Sequence, residues 1–256
     1  LLRQHPGGLR ADVEDQVVGG HLVGGLDGRS RIGREGLGGD HVHRNRHRGT
    51  ARYEQPALVW EGEDGTVSTR TFADLDRETC QLACGLRRLG LGRGDVVGMY
   101  LPNLPQAAAA MLAVAKIGAI VLPMFSGFGA DAITQRLTDG RAVAVITVDG
   151  SLRRGKPVGA KAVVDQALAH CPGVRHVVVL RQLTAPHDWV PGRDHGWDEL
   201  AAGAPVEFAD VPTESMPADD PFLLMFTSGT SGKPKGVVHS HCGFPIKTAL
   251  DQSICM

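Results

Sequence analysis

Short apolar runs alternate with helix-like segments through the middle of this sequence. Val96–Leu101 and Ala142–Val148 have the length and composition of buried strands, and Pro105–Ile117 between them reads as a helix that ends before Gly118. Strands joined through helix-length connections pair in parallel, and such sheets are covered by helices on both faces. The sequence therefore predicts an α/β fold, a parallel-sheet layered domain with helices on both faces.

A strand, a turn and a second strand precede this alternation. Ala57–Trp60 and Thr66–Thr69 are the predicted strands. Thr71–Asp74 then has the Thr-x-x-Asp spacing of a helix start, and apolar residues at helical spacing follow it until Gly90. Further along, the pattern predicts a strand Ala119–Leu122, a loop Phe125–Gly129 and a helix Ala130–Leu137.

A polar stretch rich in glycine, hydroxyl and lysine lies between the apolar runs Phe222–Phe226 and Val237–Val238. Two strand-like runs around such a stretch predict a hairpin whose loop binds an anion, with backbone amides, hydroxyls and ammonium groups as donors. The candidate phosphate-binding residues are Thr227, Ser228, Gly229, Thr230, Ser231, Gly232, Lys233, Pro234, Lys235 and Gly236. A polar surface turn is the alternative interpretation.

This stretch differs from the Gly-x-x-x-x-Gly-Lys-Ser/Thr phosphate loop. A match through Gly232 and Lys233 would need glycine where Thr227 stands and a hydroxyl residue where Pro234 stands. No helix is therefore expected to begin after the loop. The preceding strand still predicts a ligand site at the carboxyl end of the sheet.

The segment Phe226–Val237 resembles the phosphate-binding signature of the adenylate-forming enzymes, which include acyl-CoA synthetases, adenylation domains of peptide synthetases and luciferases. Ser231 stands where the usual form has threonine. The resemblance implies that the loop embraces the β- and γ-phosphates of ATP while a carboxylate attacks the α-phosphate. It also implies that Thr230 helps to place Mg²⁺.

Within the family, Asp149–Lys156, together with Asp188–Trp189 and Gly192–Trp197, resembles the acetyl- and propionyl-CoA synthetases. In that branch two basic residues contact the 3′-phosphate end of coenzyme A, and Arg153 and Lys156 fall on those positions. Lysine supplies the charge without the bidentate fork of arginine. A solvated basic turn is the alternative interpretation of these two residues.

The resemblance implies an ATP-dependent carboxylate:CoA ligase for short-chain acids that works through an acyl-adenylate, with a medium-chain or aryl CoA ligase as the alternative. It indicates no general base. The family's later motifs for adenine, ribose and the mobile carboxy-terminal domain are not found in this sequence. Residues 51–256 are therefore expected to be a partial amino-terminal AMP-binding domain, the carboxy-terminal domain to be absent, and the fragment alone to be inactive.

Residues 1–50 form a leader rich in Gly, Arg and His, without lysine, cysteine or aromatic residues. Such a composition cannot bury enough apolar surface to offset the entropy of ordering. We expect disorder or non-native sequence here, and a deletion of Leu1–Gly49 is predicted to leave stability unchanged. A metal site at His41, His43 and His47, or a nucleic-acid-binding basic arm on a non-catalytic fragment, is the alternative.

Composition excludes several classes of function. The net charge of −1 gives no overall attraction to nucleic acid or anionic membranes. Five cysteines without a Cys-x-x-Cys pair indicate reduced thiols in a cytoplasmic protein, and the helical spacing of Cys80 and Cys84 favours packing. Leu104–Phe125 carries a central Lys116, so that a buried helix and strand is favoured over a membrane span. His239 and His241 are predicted as strand residues that face one side, with contact to nucleotide or acyl substrate as the alternative.

Overall fold

The computed structural model describes residues 48–184, 186–205, 210–227 and 234–255. The strands are β1 (Pro56–Glu61), β2 (Val67–Thr71), β3 (Val96–Tyr100), β4 (Ile120–Met124), β5 (Ala142–Val148), β6 (Ser151–Arg153), β7 (Lys156–Val158), β8 (His176–Leu180), β9 (Asp194–Gly196), β10 (Pro221–Thr227) and β11 (Lys235–Ser240). The helices are α1 (Phe72–Arg88), α2 (Pro105–Lys116), α3 (Ala130–Asp139), α4 (Ala160–Leu168), α5 (Trp197–Ala201) and α6 (Gly243–Cys255), preceded by a 3-10 turn at Ala51–Glu54.

Seven of the described strands form one sheet in the order β11-β10-β4-β3-β5-β8-β9. Neighbouring strands from β10 to β9 pair in parallel, and β11 pairs antiparallel with β10. The parallel strands therefore end at the same edge of the sheet, which we call the carboxyl edge. Its strand ends are Thr227, Met124, Tyr100, Val148, Leu180 and Gly196. The predicted parallel α/β sheet is confirmed.

The central strands are buried on both faces. All of β3 is buried, as is β5 except for one half-buried residue, and only the first residue of β8 is half-buried. Successive side chains of a strand point to opposite faces, so both faces of the sheet must be covered. Helix α1 packs against α2 and α5, and α3 packs against α4. Strand β8 and helix α4 were not among the elements predicted from the sequence.

Helix α1 begins as its sequence predicts. The hydroxyl of Thr71 accepts the backbone N–H of Asp74 at 3.0 Å, and the Asp74 carboxylate accepts the backbone N–H of Thr71 at 3.0 Å. This reciprocal capping box satisfies two donors that the helix leaves without partners. Leu75, Leu82 and Leu86 lie on its buried face.

Arg48 lies inside the predicted leader, yet its side chain pairs with a buried carboxylate of α1. Its Nη2 atom is 2.6 Å from Asp76 Oδ2, and the side chain of Asp76 is 5% exposed. The hydroxyl of Tyr53 donates to the same oxygen, and desolvation together with this hydrogen bond raises the pKa of Tyr53 to about 12. A deletion through Gly49 would remove a partner of Asp76. The predictions for residues 1–47 lie outside the described residues.

The candidate membrane segment is a buried helix and strand, as predicted. It contains α2 and β4, and its central Lys116 is buried with Nζ donating to Thr213 Oγ1 at 3.0 Å. Within the described ranges, no helix combines the length and the apolar character that crossing a bilayer requires.

Candidate functional site

The β10–β11 hairpin holds both ends of the predicted phosphate loop at the carboxyl edge. Thr227 pairs with Lys235 and Phe226 pairs with Gly236, and the Thr227 hydroxyl donates to the Lys235 carbonyl at 3.4 Å. Four candidate residues are thereby located: Thr227, Pro234, Lys235 and Gly236. The other six, Ser228, Gly229, Thr230, Ser231, Gly232 and Lys233, lie outside the described residues.

The hairpin follows from the pattern of its two strands. Phe222, Leu223 and Leu224 of β10 are buried and fix the strand in the sheet. Pro234 cannot donate a backbone hydrogen bond, and it directly precedes β11. The segment after the loop is a strand, so the sequence was right to exclude a helix here.

A tyrosine holds the neighbouring loop, Phe125–Gly129, which follows β4. Tyr100 ends β3 at the carboxyl edge, and its hydroxyl lies 2.9 Å from the carbonyl oxygens of both Ser126 and Phe128. Burial raises the pKa of Tyr100, which keeps the phenol protonated and able to donate. The loop is therefore fixed by the sheet itself.

Arg153 lies against this loop. Its guanidinium carbon is 5.7 Å from the centre of the Phe125 ring, within the range of a cation–π contact. A Cβ atom at Gly127 would lie 2.8 Å from Arg153 Nη1, so a side chain at that position would displace the guanidinium. The glycine thus allows the close approach of the loop to Arg153.

Arg153 and Lys156 are brought together by the β6–β7 hairpin, which we call the basic hairpin. The two residues are direct partners in its antiparallel register, so their side chains leave the same face. In the part of the chain that the structure describes, no carboxylate lies within 4.0 Å of either cationic group. This surface can bind an anion, and the exposed Phe125 ring beside it can stack on a planar group.

A second set of charged residues was not predicted from the sequence. Lys161 is fully buried, and its Nζ lies 2.7 Å from Asp165 Oδ2 and 2.9 Å from Asp194 Oδ2. Arg193 bonds both carboxylates at 2.6 Å. Burial alone would raise the pKa of Asp194, but hydrogen bonds from Arg193, the Val190 backbone and Lys161 lower it. These four side chains, the buried ion cluster, neutralise one another and tie α4 to β9.

Of the two histidines after the loop, His239 is a strand residue as predicted, but His241 is not. His239 lies in β11, whereas His241 follows the strand and is buried against the Phe222 ring, with centroids 5.3 Å apart. Burial lowers the pKa of His241, so the ring is neutral within the core. No group of three metal-ligating side chains occurs in the described ranges.

Comparison with known proteins decides the family of this chain. A family model described as AMP-binding enzyme matches residues 46–254. The chain belongs to this family. The match includes the hairpin around the phosphate loop, the Phe125–Gly129 loop and the basic hairpin.

Relatives within the AMP-binding enzymes include several acetyl-coenzyme A synthetases. That of Serratia proteamaculans (strain 568) is 44% identical over 203 residues, which are 78% of this chain and 30% of the relative. That of Syntrophus aciditrophicus (strain SB) is 42% identical over 200 residues, with the same two coverages. Among solved structures, acetoacetyl-CoA synthetase from Streptomyces lividans matches with a TM-score of 0.75 and 30% identity, covering 85% of this chain and 32% of that one. The chain thus spans about 30% of the length of the curated relatives it matches.

Proposed function

We propose that the full-length protein carrying this sequence is an ATP-dependent carboxylate:CoA ligase for short-chain acids. In the first step a carboxylate oxygen attacks the α-phosphorus of ATP and pyrophosphate leaves. In the second step the thiolate of coenzyme A attacks the acyl carbon and AMP leaves. The observation that carries this proposal is the β10–β11 hairpin of an AMP-binding enzyme, in which Thr227 and Lys235, at the two ends of the loop sequence, lie at the carboxyl edge.

Both steps depend on positioning and on stabilisation of charge. We assign Lys233, Lys235 and the loop amides to the β- and γ-phosphates, because ammonium groups and amide N–H groups stabilise the charge that the leaving pyrophosphate gains. Mg²⁺, when bound, would neutralise further phosphate charge, and Thr230 is its proposed ligand by family resemblance. The coenzyme A end of the site is assigned to Arg153 and Lys156.

Two features support coenzyme A at the basic hairpin. Arg153 and Lys156 leave one face of the hairpin, and a phosphate with two negative charges would relieve the repulsion between them. Phe125 beside Arg153 offers 60% of its surface to solvent, so a nucleotide base could stack there. The named relatives are acetyl- and acetoacetyl-CoA synthetases, which favours a short acid over a medium-chain or aryl one.

The phosphate loop is tested with two variants of the full-length protein. Lys235→Ala removes a charge that acts most in the transition state, so adenylation should slow by about ten- to a hundredfold with a smaller change in ATP affinity. Gly232→Ala adds a methyl group without removing charge and should weaken ATP binding itself. Carboxylate-dependent ATP–pyrophosphate exchange gives the rate, and calorimetric titration gives the affinity. Near-normal values for both folded variants would contradict the proposal.

The 256-residue chain alone supplies a second test. Because it spans about 30% of its relatives, we expect it to lack carboxylate-dependent ATP–pyrophosphate exchange with acetate, propionate or butyrate. A preparation free of host synthetase that catalysed this exchange would show that the remaining 70% of a relative's length is dispensable for adenylation.

A further inference from the structure

The carboxylate of Glu63 joins two hairpins that are far apart in the sequence. Glu63 lies in the turn between β1 and β2, and its two oxygens accept the backbone N–H groups of the basic hairpin's turn. Oε1 accepts from Arg154 at 3.1 Å and Oε2 accepts from Gly155 at 2.9 Å, across 91 and 92 residues. One carboxylate thus occupies both amides of the turn between Arg153 and Lys156.

That turn has a conformation its sequence does not favour. Arg154 and Gly155 have φ values of 53° and 72°, so both central residues of the two-residue loop lie in the left-handed region. Such turns prefer Asn, Asp or Gly at the first position, and a long side chain there is strained. Successive amides of a tight turn form a concavity that binds anions, and here the chain supplies its own. The Glu63 carboxylate therefore stabilises a turn that Arg154 alone would destabilise.

The geometry of the turn fixes the two cations of the basic hairpin. Its strands have three residues each, and a two-stranded ribbon of that size is marginally stable by itself. Arg153 and Lys156 flank the turn directly, and their like charges favour separation. Because both oxygens of Glu63 bond to backbone amides, the guanidinium and ammonium groups stay available for a ligand.

We propose that Glu63 is a positioning residue for coenzyme A: it holds the basic hairpin's turn so that Arg153 and Lys156 meet the 3′-phosphate together. This inference rests on the proposed function, which assigns those two side chains to coenzyme A. The direction of the effect separates it from simple electrostatics. If the charge of Glu63 acted on the phosphate directly, its removal would tighten binding, whereas loss of positioning weakens it.

The test compares Glu63→Ala, Glu63→Gln and the control Glu61→Ala in the full-length protein. Glu61 is an exposed carboxylate on the same hairpin. Glu63→Ala removes both hydrogen bonds to the turn and should raise the KM for coenzyme A by about tenfold, with kcat and ATP–pyrophosphate exchange within about twofold. Glu63→Gln keeps one acceptor oxygen and should lie between Glu63→Ala and the unaltered protein. Glu61→Ala should change nothing.

Two further measurements decide whether lost positioning of the turn causes the raised KM of Glu63→Ala. With 3′-dephospho-coenzyme A, the unaltered protein and Glu63→Ala should have equal KM values. Adding Arg154→Gly to Glu63→Ala should restore most of the coenzyme A affinity, because glycine adopts the positive φ without a carboxylate to hold it. Unchanged or tighter binding in Glu63→Ala, an equal loss with the dephospho compound, or no rescue by Arg154→Gly would overturn the positioning role. Equal KM values for both compounds in the unaltered protein would instead overturn the assignment of the basic hairpin to coenzyme A, and the role of Glu63 with it.

Discussion

The buried ion cluster and the basic hairpin each hold two cations, but they balance the charge differently. In the cluster, Lys161 and Arg193 share two carboxylates, and Lys161 and Asp194 are both fully buried. In the basic hairpin, Arg153 and Lys156 face solvent, and the nearby Glu63 carboxylate is bonded to backbone amides instead. The cations of the cluster are neutralised within the chain, whereas those of the basic hairpin are the ones that we propose bind a ligand.

The largest expected effect is a loss of unfolding free energy when one member of the buried ion cluster is removed. Asp194→Ala leaves Lys161 and Arg193 to share Asp165 in a buried site, and removal of one partner from such a pair costs about 3 to 5 kcal/mol of unfolding free energy. The matched control is Asp188→Ala, because the carbonyl by which Asp188 accepts from Lys161 belongs to the backbone. Urea unfolding of the full-length protein measures both. A loss below 1 kcal/mol in Asp194→Ala would mean that the cluster contributes little to the fold.

A substitution in the basic hairpin should weaken the binding of coenzyme A without changing the stability of the fold. Arg153→Ala should leave the unfolding free energy within about 0.5 kcal/mol of the starting value, since the side chain is exposed. Its loss from a phosphate contact should cost about 1.5 to 3 kcal/mol in coenzyme A affinity. Arg154→Ala, which keeps the backbone N–H bonded to Glu63, is the control. A stability loss as large as that of Asp194→Ala would place Arg153 with the structural cations.

The ion pair of Arg48 and Asp76 lies between the buried ion cluster and the basic hairpin in its burial. The side chain of Arg48 is 27% exposed, and that of Asp76 is 5% exposed. Deleting residues 1–47 should leave the unfolding free energy within about 0.5 kcal/mol, whereas Arg48→Ala should cost about 1 to 2 kcal/mol, since a nearly buried carboxylate loses a cationic partner and solvent screens the loss only in part. Thermal unfolding of the two proteins side by side is the measurement. Equal melting temperatures would show that Arg48 belongs with the leader after all.

The smallest expected effect is on the pH dependence of the unfolding free energy. It involves His176 and His195, two basic side chains that do not repel each other while both are neutral. His176 Nδ1 and His195 Nε2 lie 3.1 Å apart, and burial lowers the pKa of both rings, with the neighbouring His195 and Arg175 lowering that of His176 further. Asp194 and Glu199 act in the opposite direction on His195 without reversing the shift. A lowered folded pKa means that the unfolded chain takes up protons first. The contribution of the two neutral histidines to the unfolding free energy is therefore complete above about pH 6.5 and is lost as the pH falls below it.

The unfolding free energy should fall when the pH is lowered from about 7.5 to about 5.5. We expect this fall to be smaller in His195→Gln, by less than about 1 kcal/mol, since the rings are partly exposed. The exposed His170→Gln serves as the control. Chemical unfolding at both pH values measures the difference. An enlarged pH dependence in His195→Gln would contradict the assigned direction of the shift.

Local signals in the sequence predicted the elements that local physics determines. Thr71 and Asp74 bond each other within one helical turn, so their spacing alone identified the start of α1. Ala142–Val148 matches β5 residue for residue, because a continuous apolar run fits a strand covered on both faces. By contrast, β8 was not predicted although its apolar run Val177–Leu180 is an equally clear signal in the sequence.

Other features have no local signal. Glu63 contacts residues 91 and 92 positions away, and neither its neighbours nor its spacing distinguishes it from Glu61. Lys161 and Asp194 are charged, and charged side chains are rarely fully buried unless they are paired. His241 alternates with His239 as strand residues do, but the chain turns after Ser240 and carries the ring into the core. Tertiary contacts decide these positions, so they could not be read from the sequence.

The sheet order has a consequence for the order of synthesis. Strands β4, β3, β5, β8 and β9 lie side by side and are complete by Gly196, whereas β10 begins only at Pro221. A ribosome therefore completes these five neighbouring strands before it makes β10, which then joins the free edge of β4 through the Leu223–Val121 pair. Until it does, that edge presents unpaired amides and carbonyls beside apolar side chains, the pattern that recruits strands from other chains. The strand that leads into the proposed phosphate loop is thus also the one that covers this edge of the sheet.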